Sequence, residues 1–178
     1  MWGGVVRSTT REGHVLRSEL YHVCIVVPEI EPAREHLTDL LGVEWGPLHR
    51  FDMPYRRADG TDGLAVGFAI SYSLGAPHLE LVQAVPGSPW EWNEQSNLHH
   101  LGYLVDDPDA GAEHLSASAC PLGAHGIDPR SGSLGWAYHR DEALGFRIEI
   151  VDAAASASMG RRMLGGTNQF DAPLTAQF

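Results

Sequence analysis

The sequence predicts an α+β fold in which two paired βαβββ modules form a curved mixed sheet. One observation is a repeated order of elements, because a β-branched strand, a helix and further strands occur twice along the 178 residues. Another is that the opening strands, 21–27 and 99–105, match residue by residue. The closing strands, 78–82 and 147–151, match in the same way. Duplication of one structural unit explains these observations.

The first module is predicted at residues 20–85. Its opening segment, YHVCIVV, is rich in β-branched side chains, which favours a strand. Residues 31–41 have apolar side chains at helical spacing, and Gly42 is well placed to end that helix. The turn-forming residues of segment 52–63 predict a loop, which also accommodates the greater length of this module. Two strands complete the module, at 64–72 and 78–83.

The second module is predicted at residues 97–152, after a connector at 86–97 that contains two prolines. A strand at 98–105 precedes two aspartates and Pro108, which together signal the start of a helix that extends to about residue 119. Segment 123–132 is predicted to be a loop. Two strands joined by a turn complete the module, at 135–139 and 146–151.

Residues outside the modules are predicted to form an N-terminal arm at 1–19 and a C-terminal tail at 153–178, with a short helix at 158–164. The formal net charge of −11 disfavours binding to nucleic acid or to an anionic membrane, because phosphate-rich partners require basic surfaces. Two cysteines without a CxxC pair favour reduced thiols, and no segment resembles a signal peptide or a membrane span. We therefore expect a cytoplasmic protein.

Two histidines and two glutamates occupy matching positions in the repeat. His22 and Glu80 alternate with the apolar residues that suit contact with the first helix, so both point to the opposite, inner face. His100 and Glu149 do the same in the second module. A glutamate within an apolar strand is unfavourable to bury unless it is neutralised or paired. A divalent cation beside two imidazoles would neutralise both carboxylates, whereas the alternative is pairing with arginine or exposure on the sheet.

Four segments resemble the glyoxalase/bleomycin-resistance/dioxygenase superfamily, also called the vicinal-oxygen-chelate superfamily, over most of residues 20–152: YHVCIVVPEIEPAREHLTDLLGVEWG, HLELVQ, HHLGYLVDD and AYHRDEALGFRIEIVD. The resemblance implies that one divalent metal ion (zinc, nickel, cobalt, manganese or iron) has four protein ligands: His22, Glu80, His100 and Glu149. This ligand set is similar to that of lactoylglutathione lyase. The overall sequence pattern of these segments resembles the subgroup that includes methylmalonyl-CoA epimerase. The superfamily often dimerises, so a homodimer is expected.

Several residues near the predicted metal site are further candidates. His78 and Arg147 share the inner face with the glutamates and are candidate substrate contacts, with solvent exposure of His78 and an ion pair of Arg147 as the alternatives. His99 is predicted to face the other side of its strand, although a shift of one residue in register would exchange it with His100. Two connector tryptophans are expected either to close the inner face or to pack in the core: Trp90 and Trp92.

The function that the resemblance implies is a metal-dependent isomerase, epimerase or lyase that enolises a small carbonyl substrate. The cation would polarise substrate oxygens, and Glu80 or Glu149 would move the proton. The alternatives are an iron(II)-dependent dioxygenase, another metal-dependent enzyme such as a hydrolase or a resistance transferase, and a metal-free protein that binds a small molecule. Oxygen consumption distinguishes the dioxygenase, and metal content distinguishes the metal-free protein.

Overall fold

The computed structural model describes residues 20–94, 97–127, 132–154 and 156. The predicted N-terminal arm and the predicted short helix at 158–164 lie outside these residues. Two helices and eight strands follow one another in the described part of the chain: β1 (Leu20–Val27), α1 (Ile30–Leu41), β2 (His49–Arg57), β3 (Asp62–Tyr72), β4 (His78–Gln83), β5 (Leu98–Val105), α2 (Pro108–Ala117), β6 (Leu122–Ile127), β7 (Leu134–Asp141) and β8 (Phe146–Asp152).

The strands form a closed barrel in the order β1-β4-β3-β2-β6-β7-β8-β5. Each module contributes four neighbouring strands, and the modules join through the antiparallel pairs β1–β5 and β2–β6. Within the modules β1–β4 and β5–β8 are parallel, so the sheet is mixed. The predicted α+β fold is confirmed, and the curvature of the sheet is sufficient to close it.

Both helices cover the outside of the barrel. Ile30 of α1 is buried with Val27 and Leu81, which are the outward-facing apolar residues of β1 and β4. Leu115 of α2 is buried with Ile150 of β8 in the same way. The alternation inferred from the sequence therefore correctly separates the helix-facing side chains from the inner ones. Neither helix in the described part of the chain is long and apolar enough to cross a membrane.

The helix ends follow the predicted capping signals. Gly42 adopts the left-handed conformation with φ of 70°, and its N–H donates to the Thr38 carbonyl at 2.8 Å. A side chain with a β-carbon would be strained in this conformation, which explains why glycine ends α1. Asp107 caps α2, because its carboxylate accepts a hydrogen bond from the Ala110 N–H.

The predicted loop at 52–63 is wrong, because β2 continues to Arg57 and β3 begins at Asp62. The turn formers occupy only the tight turn between them, where Gly60 has φ of 83°. Strand pairing and burial of Tyr55 inside the barrel outweigh the weak local preference of the flanking residues. With 9 and 11 residues, β2 and β3 are each longer than β6 and β7, which have 6 and 8, so the extra length of this module extends strands.

The predicted loop at 123–132 is wrong over residues 123–127, because Leu122–Ile127 form β6, and residues 128–131 lie outside the described part of the chain. One of the two glycines in this strand, Gly126, has a packing role. A β-carbon on Gly126 would lie 2.2 Å from the Trp136 Nε1 atom, so glycine leaves the space that the indole ring fills. The low β-propensity of this segment is thus a consequence of close packing in the sheet.

The connector between the modules inserts Trp90 into the barrel. Its ring is 1% exposed and lies 4.6 to 5.7 Å, between ring centroids, from Phe68, Tyr55 and Trp136. Its Nε1–H donates to the Tyr138 hydroxyl at 3.0 Å. Trp90 therefore packs as core between the two modules, whereas its neighbour Trp92 is 37% exposed.

We expect Trp90→Ala to lower the free energy of unfolding by about 3–5 kcal/mol, because it leaves a large cavity and an unpaired tyrosine hydroxyl. Chemical denaturation measures this change. Trp92→Ala is the matched control, with an expected loss below about 1 kcal/mol because its ring is partly exposed. Equal losses in the two variants would contradict the central position of Trp90.

Candidate metal centre

Four neighbouring strands, β4, β1, β5 and β8, carry the four predicted ligands. The strand register repeats between the modules. Cys24, two residues after His22, pairs with Glu80. Gly102, two residues after His100, pairs with Glu149. Each glutamate therefore lies one strand away from the histidine of its own module, and the β1–β5 pair brings the two halves together.

The four side chains converge on one point inside the barrel. The Nε2 atoms of His22 and His100 are 2.7 Å apart. The Oε2 atom of Glu80 lies 3.0 and 3.2 Å from these two nitrogens. The Oε2 atom of Glu149 lies 2.8 and 3.1 Å from them. None of the four residues is more than 6% exposed.

This arrangement fits a divalent cation. Two carboxylates in an apolar interior require positive charge, and Glu80 Oε2 is buried without a hydrogen-bond partner within the described residues. Ligand atoms about 2.1 Å from one cation lie about 3.0 Å apart at right angles and about 3.4 Å apart in tetrahedral geometry. The His–His and His–Glu distances of 2.7 to 3.2 Å are close to the first of these values. Two imidazole nitrogens and two carboxylate oxygens suit zinc, cobalt, nickel, manganese or iron(II).

The electrostatics of the cluster favour positive charge between the carboxylates. Burial lowers the pKa of His22, but the charge of Glu80 and the hydrogen bond to Glu149 outweigh it and raise this pKa to about 10. Burial also lowers the pKa of His100, but the charge of Glu149 and the hydrogen bonds to both glutamates outweigh it and raise this pKa. Burial raises the pKa values of Glu80 and Glu149, but the two histidines lower them overall. Protons on the histidines can therefore take the place of a cation.

The raised pKa of His22 predicts a pH-dependent stability of the metal-free protein. A group whose pKa is raised by folding stabilises the protein fully below its ordinary pKa of 6.5, and this contribution is lost as the pH rises to about 10. We expect the free energy of unfolding, measured in chelator, to fall across this range with a slope approaching about 1.4 kcal/mol per pH unit. His22→Gln should remove the contribution of His22 and so reduce the slope, leaving the part that His100 supplies. An unchanged slope in that variant would contradict the assignment.

Gly102 is a site residue that the sequence analysis missed. A β-carbon on Gly102 would lie 2.2 to 2.6 Å from three atoms of the His22 ring. The imidazole of the first module thus rests on the bare backbone of the second module's opening strand. Gly102 lies two residues after His100 and therefore on the same face of β5, and strand alternation could have identified it as a site residue on that ground.

Aromatic side chains surround the two imidazoles. The ring centroids of Tyr21 and Tyr72 lie 5.1 and 5.7 Å from that of His22, and the centroid of Tyr138 lies 4.8 Å from that of His100. Burial raises the pKa values of Tyr72 and Tyr138 well above the ordinary value, so both hydroxyls stay protonated. They are potential hydrogen-bond donors, and their rings form a buried aromatic wall around the cluster.

His78 is buried and lies beside this wall. Its Nδ1–H donates to the Ser73 carbonyl at 2.8 Å, and its ring lies edge-on to Tyr21 with centroids 5.4 Å apart. The alternative of solvent exposure is therefore wrong. His78 does not belong to the group of four possible ligands formed around His22.

The prediction that His99 faces the other side of β5 is also wrong. The β1–β5 register pairs Cys24 with His100 and Ile25 with Leu98, so His99 is the extra residue of a β-bulge. The bulge turns the His99 ring toward the metal centre, where its Nδ1 atom lies 2.7 Å from the Nδ1 atom of His100. A second trio with possible ligand atoms within 4.8 Å of one another follows from this position: Cys24, His99 and His100.

A pocket of about 600 Å³ lies at the end of the barrel next to His99. Arg147 and Arg140 contribute its cationic groups, Glu91 and Glu94 its carboxylates, and Trp92 an aromatic side chain. Arg147 is half-buried, which lowers its pKa, and it makes no ion pair with any carboxylate in the described ranges. The alternative of an ion pair for Arg147 therefore has no support among these residues.

A curved eight-stranded sheet built from two βαβββ modules is the fold of the vicinal-oxygen-chelate class of proteins. The sequence model of the glyoxalase/bleomycin resistance protein/dioxygenase superfamily matches residues 21–138, more than half of the chain. The chain belongs to this superfamily.

Solved structures with the same fold include methylmalonyl-CoA epimerases. One is a variant of the Streptomyces coelicolor enzyme in complex with 2-nitronate-propionyl-CoA, with 15% identity, a TM-score of 0.54, and coverage of 76% of this chain and 97% of that one. Another is a methylmalonyl-CoA epimerase in complex with methylmalonyl-CoA and NH4+, with 16% identity, a TM-score of 0.51, and coverage of 77% and 96%. No curated protein matches the chain in sequence.

Proposed function

We propose that the protein is a metal-dependent isomerase, epimerase or lyase that enolises a small carbonyl substrate. The observation that carries the proposal is the convergence of two buried carboxylates and two imidazoles, with all five His–His and His–Glu distances between 2.7 and 3.2 Å. A divalent cation bound there supplies Lewis acidity toward a substrate carbonyl. His22, His100, Glu80 and Glu149 would hold it.

The two glutamates are the candidates for proton transfer. In the proposed reaction one carboxylate takes a proton from the carbon next to the carbonyl, and the proton returns to the same carbon or to a neighbouring one. Glu80 and Glu149 come from symmetry-related strands, so they approach the centre from the two modules. We propose that they share the work, as acid on one side of the substrate and base on the other.

The substrate is proposed to enter from the pocket beside His99. Arg147 lines this pocket and lies two residues from Glu149 on β8, so its guanidinium is placed to bind an anionic group of the substrate. His78 has less support as a direct contact, because its Nδ1–H is bound by Ser73 and its ring faces Tyr21. Coenzyme A thioesters are among the carbonyl compounds to test, since epimerases with the same fold bind them.

The experiment that tests this function combines metal analysis with proton exchange. Purified protein is titrated with zinc, cobalt, nickel, manganese and iron(II), and each form is incubated in D₂O with methylmalonyl-CoA and a panel of small α-hydroxy- and α-ketocarbonyl compounds. We expect stoichiometric binding of one cation and deuterium at the carbon beside the carbonyl of one substrate class.

The control for this experiment is His100→Ala, which removes a ligand at the junction of the modules. We expect it to lose most of the bound metal and nearly all exchange. Normal exchange in His100→Ala, or exchange in fully metal-free wild type, would contradict the proposal. Oxygen uptake with the iron(II) form would instead indicate a dioxygenase. We also propose that the protein is a cytoplasmic homodimer. Light scattering tests whether it dimerises.

A further inference from the structure

His99 lies between a main-chain carbonyl and the ring of a proposed metal ligand. Its Nε2 atom is 2.7 Å from the Pro89 carbonyl oxygen, and its Nδ1 atom is 2.7 Å from His100 Nδ1. The side chain is 4% exposed. Both ring nitrogens of His99 are therefore engaged at hydrogen-bond distance, on opposite sides of the ring.

These contacts determine where the protons are. A carbonyl oxygen only accepts, so the Nε2–H of His99 donates to Pro89. A His100 ring that binds a metal through Nε2 would carry its one proton on Nδ1, 2.7 Å from His99 Nδ1. In the metal-bound form His100 would therefore donate its Nδ1–H to His99 Nδ1, and its Nε2 lies among the other three proposed ligand atoms.

We propose that His99 is a positioning residue, which holds His100 through this hydrogen bond in the tautomer and the ring orientation required of a metal ligand. The proposal rests on the metal-binding part of the proposed function. The connector supplies the fixed end of the chain of hydrogen bonds, because Pro89 directly precedes the buried Trp90. The core that joins the two modules thereby also orients one ligand of the metal centre.

Among the described residues, this hydrogen-bond arrangement occurs in only one of the two modules. Tyr21 occupies the position before His22 that His99 occupies before His100. The Nδ1 atom of His22 is buried and has no hydrogen-bond partner within the described part of the chain. The two imidazoles are therefore inequivalent ligands. His100 is the one whose basicity and orientation are supported by a hydrogen bond at Nδ1.

The test compares His99→Leu, His99→Gln and Tyr21→Phe in chelator-competition titrations with zinc. Leucine removes both hydrogen bonds, and we expect zinc affinity to fall about 10–100-fold. Glutamine retains an acceptor for His100 Nδ1–H and should recover most of that loss. Tyr21→Phe, at the equivalent position of the first module, should bind zinc within about 3-fold of wild type, well below that loss. Zinc affinity of His99→Leu equal to that of wild type would overturn the proposal.

Two spectroscopic measurements separate positioning from a general effect on folding. In ¹⁵N spectra of the zinc-bound wild type we expect protons on His99 Nε2 and His100 Nδ1, and a proton on His99 Nδ1 would overturn the proposal. In the cobalt(II) form we expect no thiolate charge-transfer band, whereas such a band would assign the metal to Cys24, His99 and His100 instead.

Failure of the proposed function gives a different result. It would appear as absence of metal binding by the wild-type protein. The tautomer of His99 in ¹⁵N spectra of the metal-free protein would then still decide whether its hydrogen bond with His100 exists.

Discussion

Gly102→Ala is expected to weaken zinc binding by more than about 100-fold without removing any ligand atom. The new β-carbon would lie 2.2 Å from the His22 ring, so the imidazole must move away from the other three donors. Displacing a packed side chain in this way also costs about 1–3 kcal/mol of stability. Chelator-competition titration and chemical denaturation measure the two effects.

Gly123→Ala is the matched control for this prediction. It adds the same methyl group to a glycine of β6, where the nearest atom, the carbonyl oxygen of Tyr138, is 3.6 Å away in ordinary contact. Zinc binding should stay within about 3-fold of wild type, because that glycine touches no ligand. If Gly102→Ala bound zinc as tightly as Gly123→Ala, then the contact of the His22 ring with the backbone of β5 would be irrelevant to the site.

The parts of this fold that were predictable from sequence are those with strong periodicity. The strands that carry His22, Glu80, His100 and Glu149 are apolar segments with clear alternation, and they are four consecutive strands of the barrel. Duplication added the correspondence between the two modules, which no single segment shows. Alternation and duplication together predicted that four side chains converge, although His22 and Glu149 are 127 positions apart in the sequence.

The parts that were missed depend on contacts between distant segments. Gly126 of β6 suggests a loop until the position of the Trp136 ring, which fills the space beside it, is known. Closure of the barrel depends on the short β2–β6 pair, which joins Arg56 and Arg57 to His125 and Ala124. No local pattern specifies which strand edges meet.

Strand alternation also failed at His99, which contacts the proposed ligand His100. A strict period of two places His99 and His100 on opposite faces. The bulge between Leu98 and His100 breaks that period and turns the His99 ring to the ligand beside it. Bulges of this kind occur often next to functional sites, and the alternation of side chains along a strand does not indicate them.

Glu80→Gln and Glu149→Gln should each lower turnover by about 10²–10⁴-fold, measured at saturating metal. Glutamine keeps one oxygen donor and nearly the same shape, but it removes a negative charge and the basic site. A glutamate that acts only as a ligand would lose metal affinity, and excess metal would restore turnover. A glutamate that also moves the proton would stay impaired when the metal site is full.

Solvent exchange distinguishes the contributions of the two carboxylates. If they act on opposite sides of the substrate, each variant should still exchange deuterium into one stereoisomer while conversion to the other is blocked. Glu113→Gln, an exposed position on α2, is the control and should exchange both isomers at the wild-type rate. Full turnover of both Glu80→Gln and Glu149→Gln with the metal site occupied would remove the glutamates from proton transfer and leave them as ligands alone.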